Sequence, residues 1–206
     1  MNTNKEVLLV LVPEYADWEP AILAAGLRRG FGMWKPRYTV KTVAPTSGPV
    51  CSIGGFHTIP DYTFESVPDD FAAIVLVGGT DWFGDVAQEV LPLAKKAVSH
   101  NALLAGICDG SMFLGVNGFL NDVDHTSNSL EVLKSRAGSA YTGEARYKAD
   151  RQSVHDGKIV TANGVGFIEF ARDIFSALEV APREVIDEVY ESFKSGFFPT
   201  MKPEKQ

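Results

Sequence analysis

Three stretches of the chain are apolar at every position instead of alternating with polar residues. They cover residues 7–12, 72–77 and 102–107. An unalternated apolar run of this length is typical of a strand that is covered on both faces, as in a parallel sheet. Residues 38–44 predict one more strand. We therefore expect a sheet of at least four strands.

Apolar residues recur at helical spacing between and after these runs. The pattern predicts helices over residues 18–29, 85–98, 111–116, 165–178 and 181–193. Turn residues predict two hairpins, one with strands near Cys51 and His57 and one around Asp156 and Gly157. The polar stretch over residues 124–150 predicts no regular element.

Strands that alternate with helices predict an α/β fold of three layers. The expected architecture is an α/β/α sandwich with a mostly parallel sheet and a ligand site at the carboxyl ends of the strands. One domain over residues 1–206 is expected, because about 150 residues per domain is the usual scale. Its core would span residues 6–180, and a C-terminal helix and tail would span 181–206.

Charge and composition exclude several classes of function. The 206 residues include 26 acidic and 19 basic side chains, a net charge of −7, and no cluster of Lys or Arg, so no nucleic-acid partner is expected. No apolar run is long enough for a membrane span and the first residues do not resemble a signal peptide, which predicts a cytoplasmic protein with no membrane partner. No phosphate-binding glycine loop and no metal-ligand spacing is present, so neither a cofactor nor a metal is expected.

The most informative segment carries Cys108 in the pattern Gly-x-Cys-x-Gly, between a buried strand and a helix. This is the cysteine form of a nucleophile elbow, in which small flanking residues permit a sharp turn and the helix N-terminus stabilises a thiolate. The N–H of Asp109 and an N–H of the Gly78-Gly79 turn would hold a developing oxyanion. The alternative is that Cys108 is a small buried hydrophobe, which is the interpretation we give to Cys51.

Four separated segments together resemble one known family. They are residues 16–19, 76–79, 105–110 and 159–166. The chain looks like a member of the ThiJ/PfpI superfamily, which includes the parkinsonism-associated deglycase and class I glutamine amidotransferase-like proteins. The resemblance covers nearly the whole chain and implies a flavodoxin-like sheet.

In this family a glutamate after the first strand hydrogen-bonds the elbow cysteine, and Glu19 occupies the matching position. A carboxyl group buried against a thiol is expected to have a raised pKa and to donate or shuttle a proton. Many relatives also carry a histidine about twenty positions after the cysteine, where this chain has Asn128. Two alternatives follow: Asn128 lines the site and orients the substrate, or His125 enters the site from a loop as the candidate base.

Asp109 stands where peptidase-like relatives have a histidine. An acid at this position cannot activate a thiol and would raise its pKa if it pointed inward, so proteolysis is not expected. Trp18 and Trp82 lie beside loops at the predicted site and are candidates to wall a small pocket, with core packing as the alternative.

Three classes of function remain open from the sequence. The resemblance implies a cysteine-dependent enzyme that acts on a small electrophilic substrate, in a glyoxalase-like, deglycase-like, or amide or isonitrile hydrolase-like or hydratase-like reaction. The alternatives are a non-catalytic redox or stress sensor through oxidation of Cys108, and a module that binds a small ligand. The family also forms dimers, which makes a homodimer the expected assembly.

Overall fold

The structure is a computed structural model that describes residues 5–196. The regular elements, in chain order, are β1 (Lys5–Val10), α1 (Trp18–Arg29), β2 (Tyr38–Ala44), β3 (Val50–Cys51), β4 (His57–Thr58), β5 (Tyr62–Thr63), β6 (Phe71–Leu76), α2 (Asp85–Gln88), α3 (Leu91–Ser99), β7 (Leu103–Ile107), α4 (Asp109–Val116), α5 (Leu130–Ala137), β8 (Ser153–Asp156), β9 (Ile159–Ala162), α6 (Phe167–Ala177) and α7 (Arg183–Ser195).

Seven of the strands form one sheet in the spatial order β5-β2-β1-β6-β7-β9-β8. Its neighbours are parallel except at one edge, where β8 pairs antiparallel with β9. Strands β3 and β4 form a separate antiparallel ladder. The predicted α/β architecture with a mostly parallel sheet is therefore confirmed, and so are both hairpins.

The two faces of the sheet bury two different sets of side chains, because successive residues of a strand point to opposite faces. Leu9 of β1 and Val75 of β6 belong to the core shared with α1, α6 and α7. Leu8 and Ile74 belong to the core shared with α2, α3 and α4. Burial on both faces explains why these strands are apolar at every position.

Three local predictions differ from the structure. The helix predicted over 85–98 is two helices, because Pro92 lies in the first turn of α3, where its missing N–H breaks no helical hydrogen bond. Helix α5 lies in the stretch for which no element was predicted; it begins after Ser129, whose hydroxyl accepts a bond from Val132 N, and it buries little besides Leu133. Strand β5 is only two residues long and was also missed.

The other helices agree with the pattern within about two residues, which is the usual uncertainty of helix ends. The part of the predicted C-terminal helix and tail that follows residue 196 lies outside the described residues. Within residues 5–196, no helix is long and apolar enough to cross a membrane.

Replacement of Ile74 by Ala is expected to lower the free energy of unfolding by about 2–5 kcal/mol. Ile74 is fully buried in the central strand β6, so the change removes apolar contacts and leaves a cavity. Denaturant unfolding measures the difference. Ile59→Ala is the matched control, because this isoleucine is 74% exposed; an equal loss in both variants would contradict the assignment of the core.

Candidate active site

Cys108 lies at a strained turn between β7 and α4. Its backbone has φ 55° and ψ −128°, an unusual conformation for a residue with a side chain, of the kind that costs about 1–3 kcal/mol and persists only where the surroundings enforce it. The end of β6 passes too close for a larger residue at Gly110, because a Cβ there would lie 2.5 Å from the carbonyl oxygen of Leu76. The predicted elbow geometry is thus present at Cys108.

Glu19 reaches the elbow from the first turn of α1. Its side chain is fully buried, and Oε2 accepts a hydrogen bond from the N–H of Gly78 at 2.6 Å. Oε1 has no hydrogen-bond partner among the described residues, and the Cys108 thiol, a weak donor, is close enough to lower the pKa of the carboxyl group. A Cβ built on Gly164 would lie 3.0 Å from Cys108 Sγ and 3.4 Å from Glu19 Oε1, so both atoms border the same space.

The ionisation of Glu19 is shifted into the neutral range. Burial raises its pKa from 4.5 to about 7, the bonds from Gly78 N–H and the Cys108 thiol oppose the rise, and the charge of Asp109 adds to it. This agrees with the expectation of a raised pKa.

The pKa of the Cys108 thiol is raised, which is the direction opposite to that expected for a thiolate stabilised by a helix N-terminus. Burial, the largest cause, raises its pKa to about 11; the Asn128 amide opposes this rise, and the carboxylates of Glu19 and Asp109 add to it. Because Glu19 and Cys108 lie side by side, a charge on either one disfavours a charge on the other. Near neutral pH, Glu19 and Cys108 together therefore hold at least one proton.

Asn128 is the residue that completes the contacts of the thiol. Its Nδ2 lies 3.2 Å from Cys108 Sγ and 3.2 Å from Asp109 Oδ1, and its Oδ1 accepts a bond from Gly164 N at 2.9 Å. These three bonds fix the orientation of the amide, so the N–H₂ group faces the sulfur and the carboxylate. The structure thus places Asn128 at the site as a donor.

Two backbone N–H groups near the elbow, those of Gly79 and Asp109, have no backbone oxygen as a partner among the described residues. The loops after β1 and β6 are tied by Ala16 N to Gly78 O at 2.9 Å and Thr80 N to Glu14 O at 3.2 Å, which leaves the intervening Gly79 N–H without a partner among the described residues. The N–H of Asp109 lies at the start of α4 and faces the sulfur, where it lowers the thiol pKa. Gly78 differs from these, because its N–H already holds Glu19.

His125 lies in a different, fully buried environment. Its Nδ1 is 2.8 Å from the carbonyl oxygen of Val123 and its Nε2 is 2.8 Å from the hydroxyl of Tyr141. Burial lowers its pKa, which keeps the ring neutral. Since both ring nitrogens are bonded away from Cys108, the structure does not support His125 as the candidate base.

Trp18 and Trp82, the two tryptophans proposed to wall a pocket, lie in different environments. Trp82 is fully buried against Phe113, and its indole N–H donates to Val77 O at 2.7 Å, so Trp82 belongs to the core and does not wall a pocket. Trp18 is half-exposed, and its indole N–H donates to Gly164 O at 3.1 Å. Because Gly164 borders the thiol, Trp18 does stand at the rim of the site.

Sequence reasoning missed three contributors to the site. Gly164 lay within a recognised segment, but nothing in the sequence indicated that it approaches the sulfur. Ser111 lies one helical turn after Cys108, and its hydroxyl donates to the Cys108 carbonyl oxygen at 2.6 Å. Arg136 of α5 stacks on Phe83 with 3.7 Å between the guanidinium carbon and the ring centroid, and its charge lowers the pKa of Asp109, which burial raises.

The mostly parallel sheet and the strained cysteine turn beside a buried glutamate together define the class of protein. It is an α/β domain with a cysteine nucleophile elbow. The family model described as the DJ-1/PfpI family matches residues 5–177 of the chain. The chain therefore belongs to the DJ-1/PfpI family, and the resemblance inferred from the four segments is confirmed.

Two relatives from Bacillus subtilis (strain 168) are similar along almost their full length. The "Uncharacterized protease YdeA" is 32% identical over 194 residues, which cover 94% of this chain and 93% of the relative. The "Uncharacterized protease YoaZ" is 30% identical over 207 residues, which cover 99% of this chain and 95% of the relative.

Solved structures of the same superfamily have the same fold. The DJ-1 superfamily protein Atu0886 from Agrobacterium tumefaciens is 33% identical, with a TM-score of 0.82 and coverage of 93% of this chain and 98% of that one. A thiJ/pfpI family protein from Bacillus anthracis is 27% identical, with a TM-score of 0.84 and coverage of 97% and 92%.

Replacement of Glu19 by Gln is expected to remove a pH-dependent part of the stability. The folded protein binds the Glu19 proton more tightly than the unfolded chain does, with a pKa of about 7 against 4.5. The contribution of this carboxyl group is therefore full below pH 4.5 and is lost as the pH rises through 7. Relative to Glu19→Gln, the wild type should lose on the order of 3 kcal/mol across that window.

Denaturant unfolding of both proteins at a series of pH values measures this loss. Glu65→Gln removes a carboxylate at an exposed position and serves as the control for the change in net charge. A stability difference between wild type and Glu19→Gln that stays constant from pH 4.5 to 7 would show that Glu19 has an ordinary pKa.

Proposed function

We propose that this protein is a cysteine-dependent enzyme that acts on a small electrophilic carbonyl substrate, in a glyoxalase-like or deglycase-like reaction. Hydrolysis or hydration of a small amide or isonitrile is the related alternative. The observation that carries the proposal is the arrangement of Glu19 and Cys108, in which a buried carboxyl oxygen without a hydrogen-bond partner among the described residues borders the same space as the thiol at a strained elbow. Membership of the DJ-1/PfpI family supports it.

Proton transfer within the pair explains how a thiol with a raised pKa can react. Glu19 is partly ionised near pH 7, so its carboxylate can accept the thiol proton while Sγ forms a bond to the carbonyl carbon. The π electrons of the carbonyl move to its oxygen, which becomes an alkoxide. The protonated Glu19 then returns the proton to that oxygen, so the addition step is balanced without a second base.

The surroundings of the sulfur fit a small substrate with a developing negative oxygen. The N–H of Asp109 acts on the sulfur and the N–H of Gly79 has no partner among the described residues, so both are our candidate oxyanion donors, and Asn128 offers a third N–H beside the sulfur. Gly164 borders the thiol on one side, which restricts the space next to the reacting carbon. The expected homodimer and the expected cytoplasmic location stay predictions.

Peptide hydrolysis is the competing activity, because two relatives carry the word protease in their names. Cleavage of an amide needs protonation of a leaving amine and activation of a water molecule in addition to thiol attack. Glu19 is the one titratable group besides Asp109 that acts on Cys108 in the described part of the chain, and His125 is bonded elsewhere. These observations favour addition to a carbonyl over peptide cleavage.

Turnover of a small α-oxoaldehyde is expected to depend on both members of the pair. Cys108→Ala should abolish it, and Glu19→Gln should lower kcat by about 10²- to 10⁴-fold, the usual contribution of a positioned acid or base. Cys51→Ala should leave the rate unchanged. The measurement is product formation at neutral pH, with a small amide and a fluorogenic peptide as parallel substrates.

Two results would overturn the proposal. Turnover that survives Cys108→Ala would exclude the nucleophile, and cleavage of the peptide alone would establish a protease. If no substrate reacts, mild peroxide distinguishes the remaining functions: a mass gain confined to Cys108 favours the redox sensor, and no gain favours a binding module.

A further inference from the structure

Three aromatic side chains, two of them buried and one partly buried, lie beside the segment that carries Asn128. We call His125, Tyr141 and Tyr147 the aromatic clamp. The His125 ring makes edge-to-face contacts with Tyr141 and Tyr147 at centroid distances of 5.7 Å and 5.6 Å. The ring and both of its nitrogens are thereby held in one orientation.

The hydrogen bonds of His125 define its tautomer. Nδ1 faces the carbonyl oxygen of Val123, which can only accept, so Nδ1 carries the hydrogen. Nε2 of the neutral ring therefore accepts from the Tyr141 hydroxyl at 2.8 Å. A ring with one donating and one accepting nitrogen satisfies both partners, whereas most other side chains of this size would leave at least one unpaired.

The clamp is bonded to the segment of residues 123–128, which ends at the active site. The backbone of His125 pairs with the following loop through His125 N to Arg146 O at 3.3 Å and Lys148 N to His125 O at 2.8 Å. The Tyr147 hydroxyl donates to Ser127 O at 2.9 Å. The residue next to Asn128 is thus held directly by the clamp.

The same segment touches the elbow at two places. Asn128 Nδ2 lies 3.2 Å from Cys108 Sγ. The hydroxyl of Ser127 lies 2.8 Å from that of Ser111, which donates to the Cys108 carbonyl oxygen. A displacement of the segment would therefore change the contacts of both the side chain and the backbone of Cys108.

We propose that His125 is a positioning residue, which acts through the aromatic clamp to hold Asn128 against Cys108 and so sets the reactivity of the thiol. The proposal deepens the proposed function, because it concerns the same sulfur. Its test does not need turnover, so it can fail or succeed independently of the enzymatic reaction.

The test uses single-atom changes in a Cys51→Ala background, so that only one thiol is alkylated. Tyr141→Phe removes the donor to His125, and Tyr147→Phe removes the donor to Ser127. Each is expected to slow iodoacetamide alkylation of Cys108 about fivefold at fixed pH, the change that corresponds to a lost hydrogen bond of roughly 1 kcal/mol. Asn128→Ala should slow the reaction in the same direction, because the amide lowers the thiol pKa. Where alkylation is slow, the ultraviolet absorbance of the thiolate, followed against pH, measures the change in the thiol pKa directly.

A double-mutant cycle separates positioning from a general loss of stability. In the Asn128→Ala background, Tyr141→Phe should still lower the melting temperature but should not slow alkylation further. Tyr190→Phe is the control for stability. It removes a hydroxyl of α7 that is bonded to Glu169 of α6, and it should leave the alkylation rate unchanged. The proposal is overturned if both clamp variants keep the wild-type alkylation rate, or if their effect on that rate is the same with and without Asn128.

Discussion

The contact between a buried carboxyl group and a thiol is the constraint on which the rest of the site depends. Glu19 is buried away from solvent. Only one of its oxygens, Oε2, accepts a hydrogen bond from a strong donor, the N–H of Gly78. Its other oxygen can be stabilised either by a proton of its own or by the thiol proton of Cys108. The two groups are therefore coupled, and the surrounding donors decide how the proton is shared.

The sheet makes this contact possible, because three adjacent strands end at the same edge. Strand β6 lies between β1 and β7, so Glu19 at the start of α1 meets Gly78 and Cys108, which follow β6 and β7 directly. Strand β9 adds Gly164 from the other side of β7. The left-handed backbone of Cys108 is maintained by this packing, and the same packing keeps the strained turn from relaxing.

Most of the sheet and its helices could be predicted from the sequence, because periodicity and strand order determine which loops share an edge. The pairing of Glu19 with Cys108 was implied only by the resemblance to the family. The choice between His125 and Asn128 could not be predicted, since both lie in a segment without regular structure whose position is set by distant partners such as Thr161, which bonds Thr126 N. Trp82 was ambiguous for a related reason: an aromatic residue beside a glycine turn fits a pocket wall and a core equally well.

An asparagine beside the sulfur limits how the thiol proton can be moved. The amide donates to the sulfur and cannot accept the proton of Cys108, and its other donor contact is with Asp109, so in the proposed reaction the acceptor is Glu19. The charge of Asp109 raises the pKa of both Glu19 and Cys108, which strengthens the hold of the pair on that proton. Addition of the thiol to a carbonyl suits such a site, because the proton that leaves the sulfur is returned to the substrate oxygen within one step. Reactions that also need an activated water require Glu19 to act again, and this requirement separates carbonyl chemistry from peptide cleavage here.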